Sequence, residues 1–269
     1  FYNGDGAGFL EPGVPSMVSE YGSVTTHRPG TFDPGWADLK DGFNRPEWRG
    51  GQVIWCGFDH GTVGGTGLAI MGLVDYFRIP KRSWYWYREA YAKGNRNPAE
   101  PAWPVPGTPA KIVLSADKTT LAAPDGTDDA HILITLSDAD GNPVSNEVPV
   151  KLTILSGPGE FPTGTTIQFM PPSEEEASDI TIRDGKAAIE FRSYYAGTTV
   201  IEASAEGLPS SELTIRTLGQ PTWESAGCPK VADRPYKRYI APVKEEPANE
   251  LLLAVNRPSF VSSTAELSS

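Results

Sequence analysis

Ala130-His131-Ile132-Leu133-Ile134-Thr135-Leu136-Ser137, followed by Asp138-Ala139-Asp140-Gly141-Asn142-Pro143, decides the fold of the largest part of this chain. Ile132, Ile134 and Leu136 fall on alternate positions, which puts them on one face of an extended strand. The Asp/Gly/Asn/Pro cluster behind them turns the chain. The same texture runs from Ala110 to Thr217: Val148, Val150, Leu152 and Ile154 alternate, Ala187, Ile189 and Phe191 repeat the pattern, and Leu213 with Ile215 closes it. Further turn signals, Asp125-Gly126, Gly157-Pro158-Gly159 and Asp184-Gly185, separate the runs. Short period-two runs with regular turns predict an antiparallel β-sandwich over residues 108–218.

The residues before it have a different character. Residues 1–99 are aromatic-rich, and six of the seven Trp lie at or before Trp103. Two apolar runs, Val14 to Ser19 and Gly51 to Cys56, predict buried strands. Pro80 and Gly94 bracket a helix over Lys81 to Ala92. Asn95 to Thr108 is a Pro-rich connector. The fold class is therefore α/β followed by all-β. Residues 219–247, rich in Pro, Lys and Glu, read as a linker or irregular extension. Residues 248–269, with the run Leu251-Leu252-Leu253-Ala254-Val255, read as the first strand of a further β-domain.

Bulk properties narrow the function classes. The 269 residues are 39% hydrophobic and 21% charged, ordinary for a globular chain and long enough for two domains. Gly 28 and Pro 25 favour turn-rich β structure over helix bundles. A net charge of -11 disfavours nucleic acid or an anionic membrane as partner, because either polyanion would be repelled. No apolar run reaches the roughly 18 residues that a membrane helix needs. Cys56 and Cys228 are too few for a disulfide framework. Phe1-Tyr2-Asn3-Gly4 has neither an initiator Met nor a signal-peptide pattern and reads as a cut inside a longer polypeptide. His60 has no Cys/His/Asp cluster at metal-ligand spacing, and Glu174-Glu175-Glu176 reads as a solvated loop, so no metal is expected. No Walker-type loop, Ser-His-Asp constellation or CxxC motif implies a cofactor or another chemistry.

One carboxylate stands out. In Val14-Pro15-Ser16-Met17-Val18-Ser19-Glu20-Tyr21-Gly22, an apolar run ends on Glu20 just before a residue that lets the chain turn. In a parallel barrel or open α/β sheet, reacting groups sit at that end of a strand. A glutamate there serves as nucleophile or proton carrier with a partner, or simply pairs with a cation such as Arg28 or Arg49.

Val18-Ser19-Glu20-Tyr21-Gly22 resembles the nucleophile strand of glycoside hydrolase family 2, the β-galactosidase and β-glucuronidase family. Gly50-Gly51-Gln52-Val53-Ile54-Trp55-Cys56-Gly57-Phe58-Asp59-His60 resembles the eighth barrel strand of that family. Gly72-Leu73-Val74-Asp75, Pro80-Lys81 and Ser83-Trp84-Tyr85-Trp86-Tyr87 resemble the end of its catalytic domain. The sandwich resembles the bacterial immunoglobulin-like domains that follow the barrel, on the turn signatures 138–144 and 184–187. Asn256-Arg257-Pro258 with Ser262-Ser263-Thr264 resembles the start of a galactose-binding-like module.

The resemblance implies that residues 1–99 are the C-terminal part of a (β/α)8 barrel, incomplete here, joined to an immunoglobulin-like sandwich. It implies Glu20 as the nucleophile of a retaining, β-galactosidase-like enzyme acting on an oligo- or polysaccharide β-glycoside. Trp55 would wall the sugar pocket, with Tyr21, Asp59 and His60 as further substrate-binding residues; Asp59 and His60 either hydrogen-bond hydroxyls or shape a turn with Gly61. Asp5 and Glu11, on the loop before the strand of Glu20, either reach the mouth of the site or, in the preferred reading, are solvated loop carboxylates. In the family the acid/base Glu follows an Asn on an earlier strand, and no Asn-Glu pair precedes Glu20; Asn249-Glu250 is far downstream. A complete barrel takes about 250 residues. The rest of the barrel, acid/base included, must then come from elsewhere, as a further segment or another chain, and the chain alone is expected to be inactive. The family setting implies a secreted or periplasmic bacterial parent protein. A second reading makes the chain a non-catalytic carbohydrate-binding or structural accessory fragment, with the sandwich as spacer.

Overall fold

The stripe that decides the fold is the centre of the core: Ile132, Ile134 and Leu136 have no exposed surface, and they alternate with partly exposed neighbours along Ala130–Ser137. The computed structural model describes residues 2–3, 16–21, 49–61, 68–69, 72–94, 98–172, 180–228, 231 and 233. Its elements in chain order are β1 (Tyr2–Asn3), β2 (Ser16–Tyr21), β3 (Arg49–Ile54), β4 (His60–Gly61), β5 (Leu68–Ala69), α1 (Arg82–Lys93), β6 (Lys111–Ala116), β7 (Thr120–Leu121) and β8 (Ala130–Ser137). There follow β9 (Val150–Ser156), β10 (Gly159–Glu160), β11 (Thr166–Phe169), β12 (Lys186–Ser193), β13 (Gly197–Ser204) and β14 (Ser211–Thr217).

The sandwich has two sheets, one in the order β10-β12-β8-β6 and the other β11-β9-β13-β14-β7. β6 and β7 are neighbours in sequence but lie in opposite sheets, with β7 running parallel to β14 at an edge. Register keeps the apolar stripes together: Ile189 pairs with Ile132 and Ala187 with Ile134, so one face of β12 and β8 is continuous. Facing them, Val150, Leu152, Ile201 and Ile215 come from the second sheet and are fully buried. Phe161 and Phe191 close the core edge to face, ring centres 6.3 Å apart. A register shift between Val200 and Ile201 interrupts the β13–β9 ladder, and beside it Ile154 is only half-buried.

Asp184-Gly185 forms a two-residue hairpin turn. Arg183 and Lys186 exchange both backbone hydrogen bonds, at 2.8 and 2.9 Å, and both turn residues have positive φ, 50° and 69°. Gly is required at the second position, because a Cβ on Gly185 would lie 1.8 Å from the Val144 carbonyl oxygen. At the turn after β8, the Asp138 carboxylate accepts from Asn142 N (2.8 Å) and Nδ2 (3.0 Å), which holds its pKa below the usual range.

Ahead of the sandwich, β1, β2 and β3 form a three-stranded parallel sheet in that order. β4 and β5 pair antiparallel. α1 buries Trp86, Tyr87 and Ala90, with Ile54 and Leu73 packed against them. Gly94, at φ 64°, ends the helix in the left-handed conformation, and the helix starts and ends one residue later than the expected span. Of the four consecutive aromatics, Trp86 and Tyr87 are buried, while Trp84 and Tyr85 are half-buried beneath the Arg88 guanidinium.

The Pro-rich connector is tied to α1: Trp86 Nε1 donates to the Pro98 carbonyl at 3.1 Å and Arg82 Nε to that of Pro101 at 2.8 Å. The stretch after β14 is likewise held. Ala196 N donates to Pro221 O and Trp223 N to Ala196 O, both at 2.8 Å, and Thr165 N and Oγ1 donate to Asp233. Pro221, Trp223 and Asp233 are thus fastened to the sandwich. The expectations for Asp5, Glu11, Arg28, Glu174-Glu175-Glu176 and residues 234–269 lie outside the described residues.

Candidate active site

The candidate residues come from two parallel strand ends. Glu20 is the penultimate residue of β2. It stands in register with Asn3 on one side. On the other side Tyr21 is in register with Ile54, the last residue of β3. Neighbouring strands lie about 4.8 Å apart, so the chain leaves β2 at Tyr21 and β3 at Ile54 on the same sheet edge, with Glu20 just before one exit and Trp55 just after the other. That arrangement follows from parallel pairing of two apolar runs, each ended by a polar or turning residue.

Trp55 is 37% exposed although it is the largest side chain at the strand end. Its ring meets that of His60 edge-on, centres 5.7 Å apart and planes 86° apart. The Trp55–Cys56 peptide is cis. Trp55 and His60, both singled out in the sequence, are therefore brought together.

Asp59 sits elsewhere. It is 5% exposed, and its Oδ1 accepts from Lys81 Nζ at 2.6 Å and from the Gly72 amide at 2.8 Å. Burial pushes its carboxyl above the usual range, and Lys81 opposes that rise. The carboxylate is thus engaged by Lys81 and the Gly72 amide, a contact that neither of the roles read from the sequence describes. Lys81 was the missed residue: it is 2% exposed, and the Pro80-Lys81 dipeptide was visible only as a family motif and a helix start.

Next to the pair, burial raises the Asp75 carboxyl to about 6, while the Ile79 amide, donating to its Oδ1 at 2.7 Å, opposes the rise. Among the described residues, no three His, Cys, Asp or Glu side chains gather to hold a metal ion, and no helix is long and apolar enough to cross a membrane.

The family model for glycoside hydrolase family 2 C-terminal domain 5 matches residues 112–214, the sandwich from β6 to β14. Among solved structures, a β-glucuronidase from glycoside hydrolase family 2 is similar at 16% identity and TM-score 0.58, over 90% of this chain and 36% of that one. A glycosyl hydrolase family 2 member from Bacteroides cellulosilyticus DSM 14838 is similar at 16% identity and TM-score 0.51, over 74% of this chain and 37% of that one. At such identities the likeness is one of fold. The chain spans about a third of the length of either structure. No curated protein matches it. The family resemblance read from the sequence is borne out: these matches fit a glycoside hydrolase family 2 fragment with an immunoglobulin-like C-terminal part.

Proposed function

We propose that this chain is the C-terminal portion of a retaining β-glycosidase, with residues 1–99 as the end of its (β/α)8 barrel and Glu20 as the nucleophile. The observation that carries the reading is the parallel register of Tyr21 with Ile54, which sets the strand ends of Glu20 and Trp55 side by side. In a parallel α/β sheet that edge is where substrates bind. The match of the following sandwich to a family 2 domain supports the same assignment from independent residues.

In this reading Glu20 attacks the anomeric carbon of a β-glycoside. A second carboxyl group, about 5–5.5 Å away, protonates the leaving oxygen and then activates water. That group is contributed by barrel strands beyond these residues. Trp55, braced by His60, packs against pyranose C–H groups, and Tyr21 borders the same edge. The sandwich serves as a structural support rather than a sugar platform.

Treating the complete barrel with a 2-deoxy-2-fluoro β-glycoside tests the nucleophile. The sugar mass should appear on the peptide containing Glu20, and Glu20→Gln should abolish both labelling and turnover of chromogenic β-galactoside or β-glucuronide. Label on another carboxylate, or turnover surviving Glu20→Gln, would refute the assignment. This chain by itself should turn over neither substrate.

A further inference from the structure

Residues 55–60 do not end at the sugar-facing edge; they are laced into a second layer of backbone. Leu73 N donates to Cys56 O at 3.0 Å, Val74 N to Gly57 O at 3.0 Å and Asp59 N to Val74 O at 2.9 Å. Lys81 N in turn donates to Leu73 O at 3.0 Å, and α1 starts at the next residue. Gly72 lies so close beneath this segment that a Cβ there would be 2.1 Å from the Phe58 carbonyl carbon and 2.2 Å from Asp59 N. Three stretches of chain, 56–59, 72–74 and 79–81, thus lie one upon another.

The ion pair pins this stack from one side to the other. The Lys81 and Asp59 side chains are 1% and 3% exposed, with Nζ and Oδ1 2.6 Å apart. A buried pair of this kind is weak evidence for net stability, because desolvation offsets most of the attraction. What it does supply is a single geometry, since each charge is strongly disfavoured without the other. Asp59 immediately precedes His60, whose ring meets Trp55. Lys81 immediately precedes α1, whose Trp86 packs in the cluster that Ile54 joins.

We propose that Lys81 is a positioning residue: through Asp59 it fixes the Trp55–His60 pair against α1 and so sets the sugar-facing wall. This rests on the glycosidase reading above. Lys81 touches no substrate. It acts by holding the segment that does, and a small displacement of a substrate-positioning group is costly to binding or rate.

Lys81→Met and Asp59→Asn, made in the complete barrel, test it with p-nitrophenyl β-galactoside and β-glucuronide. The active fraction is counted by fluoroglycoside labelling, so that misfolded protein does not enter kcat. Lys81→Met is expected to raise KM about tenfold per active site with kcat changed by less than about threefold, the pattern of lost uniform binding. Asp59→Asn keeps an acceptor for the Gly72 amide and should raise KM in the same direction. If Lys81→Met yields no folded enzyme, Asp59→Asn decides alone. An unchanged KM per active site in the variant that folds overturns the proposal, since a purely structural pair would lower only the active fraction. A wild-type complete barrel without turnover, or its Glu20→Gln variant with it, overturns the glycosidase reading and the positioning role with it.

Discussion

Asp75 offers a test of the electrostatics around the stack that needs no substrate. Its carboxyl is raised from the ordinary 3.8 to about 6, chiefly because burial disfavours the charged form. A group whose pKa is higher folded than unfolded stabilises the protein fully below its unfolded value, and that contribution is lost as pH rises through the folded value. The window is therefore pH 3.8 to about 6, and the loss corresponds to about 3 kcal/mol. Asp75→Asn cannot ionise, yet its amide oxygen still accepts from the Ile79 amide. Urea unfolding of the wild type and the variant, at matched ionic strength from pH 4 to 7.5, should show the variant gaining on the wild type by about 3 kcal/mol as pH rises. Taking the difference cancels the pH response of the remaining charges. A difference that stays flat across the window, or moves towards the wild type, would show that Asp75 ionises without penalty and that water reaches the stack.

Other substitutions probe the core and the turns. Phe191→Ala removes a ring with no exposed surface and should cost about 3–5 kcal/mol in urea unfolding, with an unchanged m-value if only the native state is affected. Gly185→Ala must hold φ near 69° with its Cβ 1.8 Å from the Val144 carbonyl oxygen, so the backbone must shift; a cost above the roughly 1–3 kcal/mol of strain alone is expected in the same assay. Trp86→Phe leaves the Pro98 carbonyl without the indole donor and should cost about 1–3 kcal/mol, read from thermal unfolding. Lys81→Met should cost about 3–5 kcal/mol because it strands Asp59, whereas Lys81→Met combined with Asp59→Leu should recover most of that loss.

What was legible in the sequence was whatever is decided locally. Ile132, Ile134 and Leu136 gave away an inward face because strand periodicity is a property of neighbouring residues. Asp184-Gly185 named its turn because both positions need positive φ, and Gly94 marked the helix end for a similar reason. The parallel alignment of β2 and β3 was implied only by the family resemblance, since pairing of distant runs leaves no local trace. Lys81 was invisible as a partner of Asp59: 22 residues separate them, and an isolated Asp or Lys is most often solvated. The docking of Pro221 and Trp223 on the sandwich was also hidden, because backbone hydrogen bonds from Ala196 and Trp223 depend on no side-chain pattern.

The stack and the sandwich meet along β12, and the kind of contact decides what holds them. Arg78 and Glu190 pair at 3.7 Å, but Arg78 is 68% exposed, so water and salt screen the attraction and its contribution is small. Phe77, the residue before, packs against the sandwich core instead, and apolar area removed from water is not screened. Lys186, on the first position of β12, lays its ammonium over the Trp103 ring at 5.0 Å, and burial lowers its pKa. Asp75, Lys81, Trp103, Arg183 and Lys186 line one small cavity at this meeting point. The junction is thus anchored by Phe77 and Trp103, with charges arranged around them. Removing Phe77 should loosen the segment that carries Asp75 and Lys81 far more than removing Arg78, although Arg78 makes the more conspicuous contact.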